Sequence, residues 1–243
     1  MAMRGIEGEK KEKPVLVPHD TLQAHEKYGE NRPRLVQVGS NYEVGGNVPV
    51  NRFMDYRIAI HDITPEKRPA TAEGTRDLTI KLFAELEARG IPVAAQNVIA
   101  MQDTIGRDAV FVSAKDVVRA ESMDAKDGKI STENANALAA LWHVLFQYYK
   151  DKAASGEPFL YDTYRFGQYE WGKVDGDKEN KLYLVDVDPH IADSKEMLGR
   201  AVSRLALEIE KISTDTMPNM PELKLSELVA NIRKADTELQ KNT

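Results

Sequence analysis

Apolar and polar positions along the chain fall into two rhythms. Tyr56, Ile58 and Ile60 alternate with Arg57, Ala59 and His61, the period-two pattern of a half-buried strand. Arg34–Val38 (RLVQV) reads as an earlier strand, and the stretches 91–101 and 109–113 as two more, joined by a turn around Gly106. Residues 64–72, with Pro65 and Pro69, form a loop. Over 73–89 the rhythm turns helical: Leu78, Leu82, Phe83 and Leu86 share one face, Glu85 and Arg89 pair at i,i+4, and Gly90 ends the helix.

The clearest helix follows. Thr132 is its expected cap, Leu138, Leu141, Trp142, Leu145, Tyr148 and Tyr149 make a wide apolar stripe, and Gly156 and Pro158 lie beyond its end. A strand over 169–174, a turn at Asp175-Gly176-Asp177 and an apolar strand over 182–185 come next. Leu198, Val202, Leu205, Ile209 and Ile212 then step by 4, 3, 4 and 3, an amphipathic helix of about five turns. A last helix after Pro221 carries Leu225, Leu228, Val229, Ile232 and Leu239. Helices and strands are segregated rather than regularly alternating, which predicts an α+β fold. The polar segment 114–132, with a turn at Asp127-Gly128, divides a β-rich part with one helix (15–116) from a mostly helical part with a hairpin near 169–187 (117–243). Residues 1–14 are rich in Lys and Glu and poor in large apolar residues, the composition of a disordered tail.

Composition narrows the function classes. With 243 residues, 42% hydrophobic and 30% charged, the chain can bury a sizeable core under a well-charged surface. It has no apolar run near the roughly 18 residues of a membrane span, and its first residues lack the apolar stretch of a secretory signal. Cysteine is absent, which excludes disulfides and thiolate metal sites and makes a reducing cytoplasm the expected location. A net charge of −6 argues against a nucleic-acid partner held on a general basic surface.

The stretch KLYLVDVDPH, 181–190, carries the most chemistry. An apolar strand runs directly into Asp186 and Asp188 and stops at Pro189. Two readings stand: a strand-to-turn junction with solvated carboxylates, or a metal or phosphate site. Haloacid-dehalogenase-type phosphatases carry such an Asp-x-Asp on an early strand with a Rossmann-like sheet downstream, whereas only two amphipathic helices follow here. Nucleotide-sugar glycosyltransferases need alternating strands and helices upstream, which 34–113 do not provide.

The order of elements resembles the protein-kinase-like fold: a small β-rich N-terminal lobe and a short helical C-terminal lobe. Gly39 to Gly46 resembles the glycine-rich turn, the stretch Ile58-Ala-Ile-His61 resembles the V-A-I-K strand, and 73–89 resembles the helix whose Glu pairs with that Lys. Val110 to Lys115 would lead into the hinge, Tyr161-Asp162 stands where the catalytic loop is expected, and 182–186 resembles the strand delivering the metal-binding Asp of D-F-G. The chain departs from the pattern in several places. Position 61 is His instead of Lys, the glycine spacing is not G-x-G-x-x-G, H-R-D is replaced by Leu160-Tyr161-Asp162, and D-F-G by Asp186-Val187-Asp188. Gln168 stands one residue beyond the place of the metal-binding Asn.

The resemblance implies a phosphotransferase that binds ATP with Mg2+ and an unidentified phosphate acceptor. Asp162 would be the catalytic base, Asp186, Asp188 and Gln168 the metal ligands, and Gly39, Gly45, Gly46 and His61 the nucleotide contacts. The alternative is a catalytically inactive module of the same fold that presents the helices of 193–240 to a protein partner. Each residue also has a plainer role: Asp162 as a turn cap, Arg165 as its local ion-pair partner, His61 as a half-exposed strand residue, His143 as a helix-packing or solvent-facing side chain, and Trp142, Tyr148 and Tyr149 as core.

Overall fold

The computed structural model describes residues 15–18, 34–38, 41–45, 52–54, 63–103, 108–115, 117–121, 130–186, 190–216 and 223–241. The expected tail 1–14, the strand at 56–61 and the turns at Gly106 and Asp127-Gly128 lie outside the described residues. Six strands form the first sheet: β1 Val15–Pro18, β2 Arg34–Val38, β3 Asn41–Gly45, β4 Arg52–Met54, β5 Ala95–Asp103 and β6 Asp108–Ala114. Their order is β3-β2-β1-β5-β6-β4, with antiparallel pairing throughout. Helix α1, Ala72–Ala88, lies between β4 and β5 in the chain.

The second half contributes β7 Val118–Arg119, α2 Thr132–Ser155, β8 Phe159–Leu160, β9 Tyr169–Lys173, β10 Lys181–Leu184, β11 Ile191–Ala192, α3 Lys195–Thr216 and α4 Leu225–Lys241. Strands β10, β9 and β7 form a three-stranded antiparallel sheet, and β8 pairs with β11. The fold is α+β. Among the described residues, no helix is long and apolar enough to cross a membrane.

Most expected elements are present, with informative shifts. Most of the stretch 39–46 is strand β3 rather than a turn, because Tyr42 and Val44 alternate with Asn41 and Glu43 in register with β2. Strands β1, β4 and β7 go beyond the sequence reading; each is two to four residues long and gains its identity from pairing alone. The N-cap of α2 is Ser131, one residue before the expected Thr132, and its side chain accepts a hydrogen bond from the Asn134 N–H. Gly156 ends α2 in the left-handed region at φ 65°, which glycine adopts without steric cost.

The boundary near 115 separates the sheets but not the core. Leu82 and Leu86 of α1 and Val112 of β6 belong to the same buried cluster as Leu138 and Leu145 of α2 and Leu205 of α3. Polar contacts also cross it. The buried Lys152 ammonium at the end of α2 lies 2.6 Å from Glu85 of α1, and Arg89 reaches Asp151 at 2.7 Å. Thr64, ahead of α1, donates from its N–H and its hydroxyl to Asp193, ahead of α3, at 3.0 and 2.7 Å.

The β7–β9 pairing depends on one missing side chain. A Cβ at Gly172 would stand 2.2 Å from the Val118 carbonyl oxygen, so the two backbones approach too closely for any other residue. Gly172→Ala is therefore expected to cost about 1–3 kcal/mol in urea unfolding, by forcing β7 off the sheet edge. Unchanged stability would mean that β7 does not dock.

Candidate functional site

The strand that leads to Asp186 is held on both edges. β9 pairs along one edge, and on the other the Leu184 N–H donates to Pro92 while Leu184 accepts from Ala94, each at 2.9 Å. Leu182, Tyr183, Leu184 and Val185 are all buried, so the run is covered on both faces, as its composition requires. Beyond it, the Val185 and Asp186 N–H groups both donate to the backbone carbonyl of Gln168, at 2.8 and 3.3 Å. The Asp186 carboxylate therefore leaves a backbone with little freedom.

The loop that faces it, 161–168, is fixed by buried phenols. Tyr148 of α2 accepts from the Leu160 N–H at 2.9 Å, and Tyr149 donates to the Tyr161 carbonyl at 2.9 Å. Tyr149 also lies 2.9 Å from the Thr163 hydroxyl, and Tyr169 donates to the Thr163 carbonyl at 2.7 Å. Burial pushes all three phenols well above their ordinary range, so they serve as neutral hydrogen-bonding groups. The Tyr161 N–H donates to His190 at 2.8 Å, and the Phe166 N–H to the Glu208 carboxylate of α3 at 3.0 Å.

These restraints bring four side chains together. Asp162 lies 3.9 Å from the Arg165 guanidinium, the Gln168 side chain favours the ionised Asp186 carboxylate, and Asp162 and Asp186 sense each other's charge. Burial, then the charge of Asp162, raises the Asp186 carboxyl above the ordinary 3.8, against the opposing pull of Arg165 and Gln168. Gln168, Asp186 and Arg165 line a cleft of about 770 Å³, the size of a small-molecule site. Tyr161 and Tyr164 form one wall, and Arg204, Leu207, Glu208 and Lys211 of α3 the other.

Among the described residues, no group of three or more His, Asp or Glu side chains could hold a metal. The side chains lining the cleft nevertheless offer hard oxygens, the Asp186 and Glu208 carboxylates and the Gln168 amide, with the Asp162 carboxylate nearby. Burial, and after it the like charge of Asp162, raises the Asp186 carboxyl, and oxygen donors of this kind are the chemistry that a divalent ion of the magnesium class takes.

Asp162, Gln168 and Asp186 thus converge. Asp188, Gly39, Gly46 and His61 lie outside the described residues. Gly45 closes β3 opposite Arg34 in the six-stranded sheet. Glu85 of α1 is committed to Lys152 and Arg89. His143 faces solvent, and Trp142, Tyr148 and Tyr149 are core. Both tyrosines also anchor the loop, a role that their helical spacing conceals.

The chain matches no protein-family model, no curated protein and no solved structure. The cleft is therefore read from its own residues. The sequence reading missed the α3 wall, although a signal existed: Arg204, Glu208 and Lys211 fall at i, i+4 and i+7, on the face away from the Leu198–Ile212 stripe.

Proposed function

We propose that the protein is a kinase-like phosphotransferase that binds a nucleotide through a divalent metal, with residues 15–116 as a small lobe and 117–243 as the helical lobe. The observation that carries this reading is that Gln168 and Asp186, eighteen positions apart in sequence, line one cleft, with Asp162 beside it through its pairing with Arg165 and its charge on Asp186. Two segments held against each other deliver them, 161–168 fixed by the buried phenols and 185–186 by the Gln168 carbonyl.

In this reading Asp186 and Gln168, with Asp188 beyond the described residues, would hold Mg2+ with ATP, and the ion would offset phosphate charge. Gln168 orients the Asp186 carboxylate. Asp162, held beside Arg165, accepts the proton of the acceptor hydroxyl. Gly39, Gly45, Gly46 and His61 are assigned to the nucleotide by the resemblance. His61 in the place of a Lys favours the second reading, an inactive module of the same fold acting through a protein partner. That reading is weakened by the burial of Leu198, Val202, Leu205 and Ile209 on α3 and of Leu228 and Ile232 on α4. Helices whose main apolar stripes are already covered by their own chain leave a partner mostly polar faces, with Leu207 of α3 the exposed apolar exception.

Thermal-shift titration with ATP, with and without magnesium, tests the proposal, because a ligand that binds only the native state raises its melting temperature. Wild type is expected to respond to the pair, and Asp186→Asn to lose the response. The same substitution should raise the apo melting temperature at pH 7 by about 1–2 °C, since it removes a half-solvated, strained charge. The pH dependence has a definite sign. The folded-state value of Asp186 is raised, so its contribution to stability is full below the ordinary 3.8 and is lost as pH rises through the raised value. The advantage of Asp186→Asn should therefore vanish below that pH. A wild type indifferent to ATP and magnesium would overturn the phosphotransferase reading.

A further inference from the structure

The outer wall of the cleft raises a separate question, namely what molecule it is built to meet. Arg204, Glu208 and Lys211 occupy one face of α3, with Arg204 and Lys211 about 10.5 Å apart along the axis. Glu208 already accepts the Phe166 N–H at 3.0 Å. Two other cations of these helices are paired, Arg200 with Glu196 at 2.5 Å and Arg233 with Glu210 at 2.7 Å. Among the described residues, Arg204 and Lys211 have no ion-pair partner; both are exposed and both line the cleft. Arg165, 57% exposed, adds a third cation from the facing wall. Leu207, 51% exposed, stands between Arg204 and Lys211 in sequence, and the Tyr161 and Tyr164 rings, edge to face with each other at 5.8 Å, line the same cleft. Three cations around an apolar and aromatic patch, on a protein of net charge −6, make a local site for an anion with a carbon body.

We propose that the acceptor is a small anionic alcohol, bearing a phosphate or carboxylate group that docks on Arg204 and Lys211 while its hydroxyl reaches toward Asp162. This inference rests on the phosphotransferase reading. The acceptor hydroxyl oxygen attacks the γ-phosphorus of a nucleoside triphosphate, and the bond from that phosphorus to the β-phosphate oxygen breaks. The electron pair leaves with the nucleoside diphosphate, and the hydroxyl proton passes to the Asp162 carboxylate. Cationic acceptors such as amino alcohols are disfavoured by the same three side chains, which outnumber the Asp186 and Glu208 carboxylates of the lining.

The test measures binding by calorimetry at low salt, using phenyl phosphate, benzoate, benzyl alcohol and benzylamine as probes. At least one anionic probe is expected to bind tenfold or more tightly than benzyl alcohol, with benzylamine weakest; the two anions distinguish phosphate from carboxylate recognition. Arg204→Gln with Lys211→Gln should weaken the anion at least tenfold while the ATP–magnesium thermal shift stays unchanged. Both positions are on the surface, so the double variant should fold like wild type. Equal affinity for neutral and anionic probes, or anion binding untouched by the double variant, overturns the anionic site. Anion binding without any response to ATP and magnesium overturns the acceptor role and the phosphotransferase reading together. A response to ATP and magnesium without anion binding sinks only the present inference.

Discussion

Leu205→Ala is expected to destabilise the protein by about 2–5 kcal/mol, among the largest effects that a single truncation can have here. Leu205 is fully buried at the centre of the stripe formed by Leu198, Val202, Ile209 and Ile212, all of them buried. It belongs to the cluster that also contains Leu138 and Leu145 of α2 and Leu228 and Ile232 of α4. Truncation removes the transfer free energy of three carbons and leaves a hole that close-packed neighbours fill only in part. The helix itself gains slightly, since Ala has the best helix propensity, so the loss measured is a packing loss. Urea unfolding should show a lower midpoint with an unchanged slope. A midpoint that did not move would mean that α3 does not pack on α2, and the α3 wall of the cleft would have no support.

The second large effect is catalytic. Asp162→Asn should reduce turnover by about 10²–10⁴-fold, measured as nucleoside diphosphate release with hydroxy acids as acceptors. Asn keeps the shape of Asp and can accept a hydrogen bond, but it cannot take a proton. Little stability should be lost, because the Arg165 partner at 3.9 Å is 57% exposed and such pairs contribute about 0–1 kcal/mol. The ATP–magnesium thermal shift should survive, which separates loss of the base from loss of binding. A further consequence follows from the charge of Asp162 on Asp186: without it, the Asp186 carboxyl titrates lower. Turnover equal to wild type would remove Asp162 from the chemistry and leave it a turn residue.

The cations of the cleft bear on both experiments. Arg165 pairs with Asp162 and favours the ionised form of Asp186, so it belongs to the machinery, whereas Arg204 and Lys211 are set on α3 and can be changed separately. Salt should therefore weaken acceptor binding through Arg204 and Lys211 more than it alters the partly buried Asp186 environment.

Periodicity by itself determined the helices, the β9–β10 hairpin and the α+β class, because each is encoded by neighbours in sequence. Leu198 to Ile212 repeat at helical spacing whatever surrounds them, and Asp175-Gly176-Asp177 turns the chain locally, with Gly176 at φ 90° and Asp177 accepting from the Val174 N–H at 3.0 Å. The candidate acids Asp162 and Asp186 were also legible, as carboxylates at the ends of apolar runs. Their meeting was not. It depends on Gln168 clamping the end of β10 and on Tyr148, Tyr149 and Tyr169 holding a loop remote in sequence, contacts that no local pattern specifies. Strands β1, β4 and β7 were hidden for the same reason: two to four residues carry almost no periodic signal, and only a partner's hydrogen bonds make them strands. The wall of Arg204, Leu207 and Lys211 was visible as a helix face, but not as a wall. Only the packing of α3 turns that face toward Arg165 and Asp186, because burying the Leu205 stripe fixes the direction in which its opposite side points.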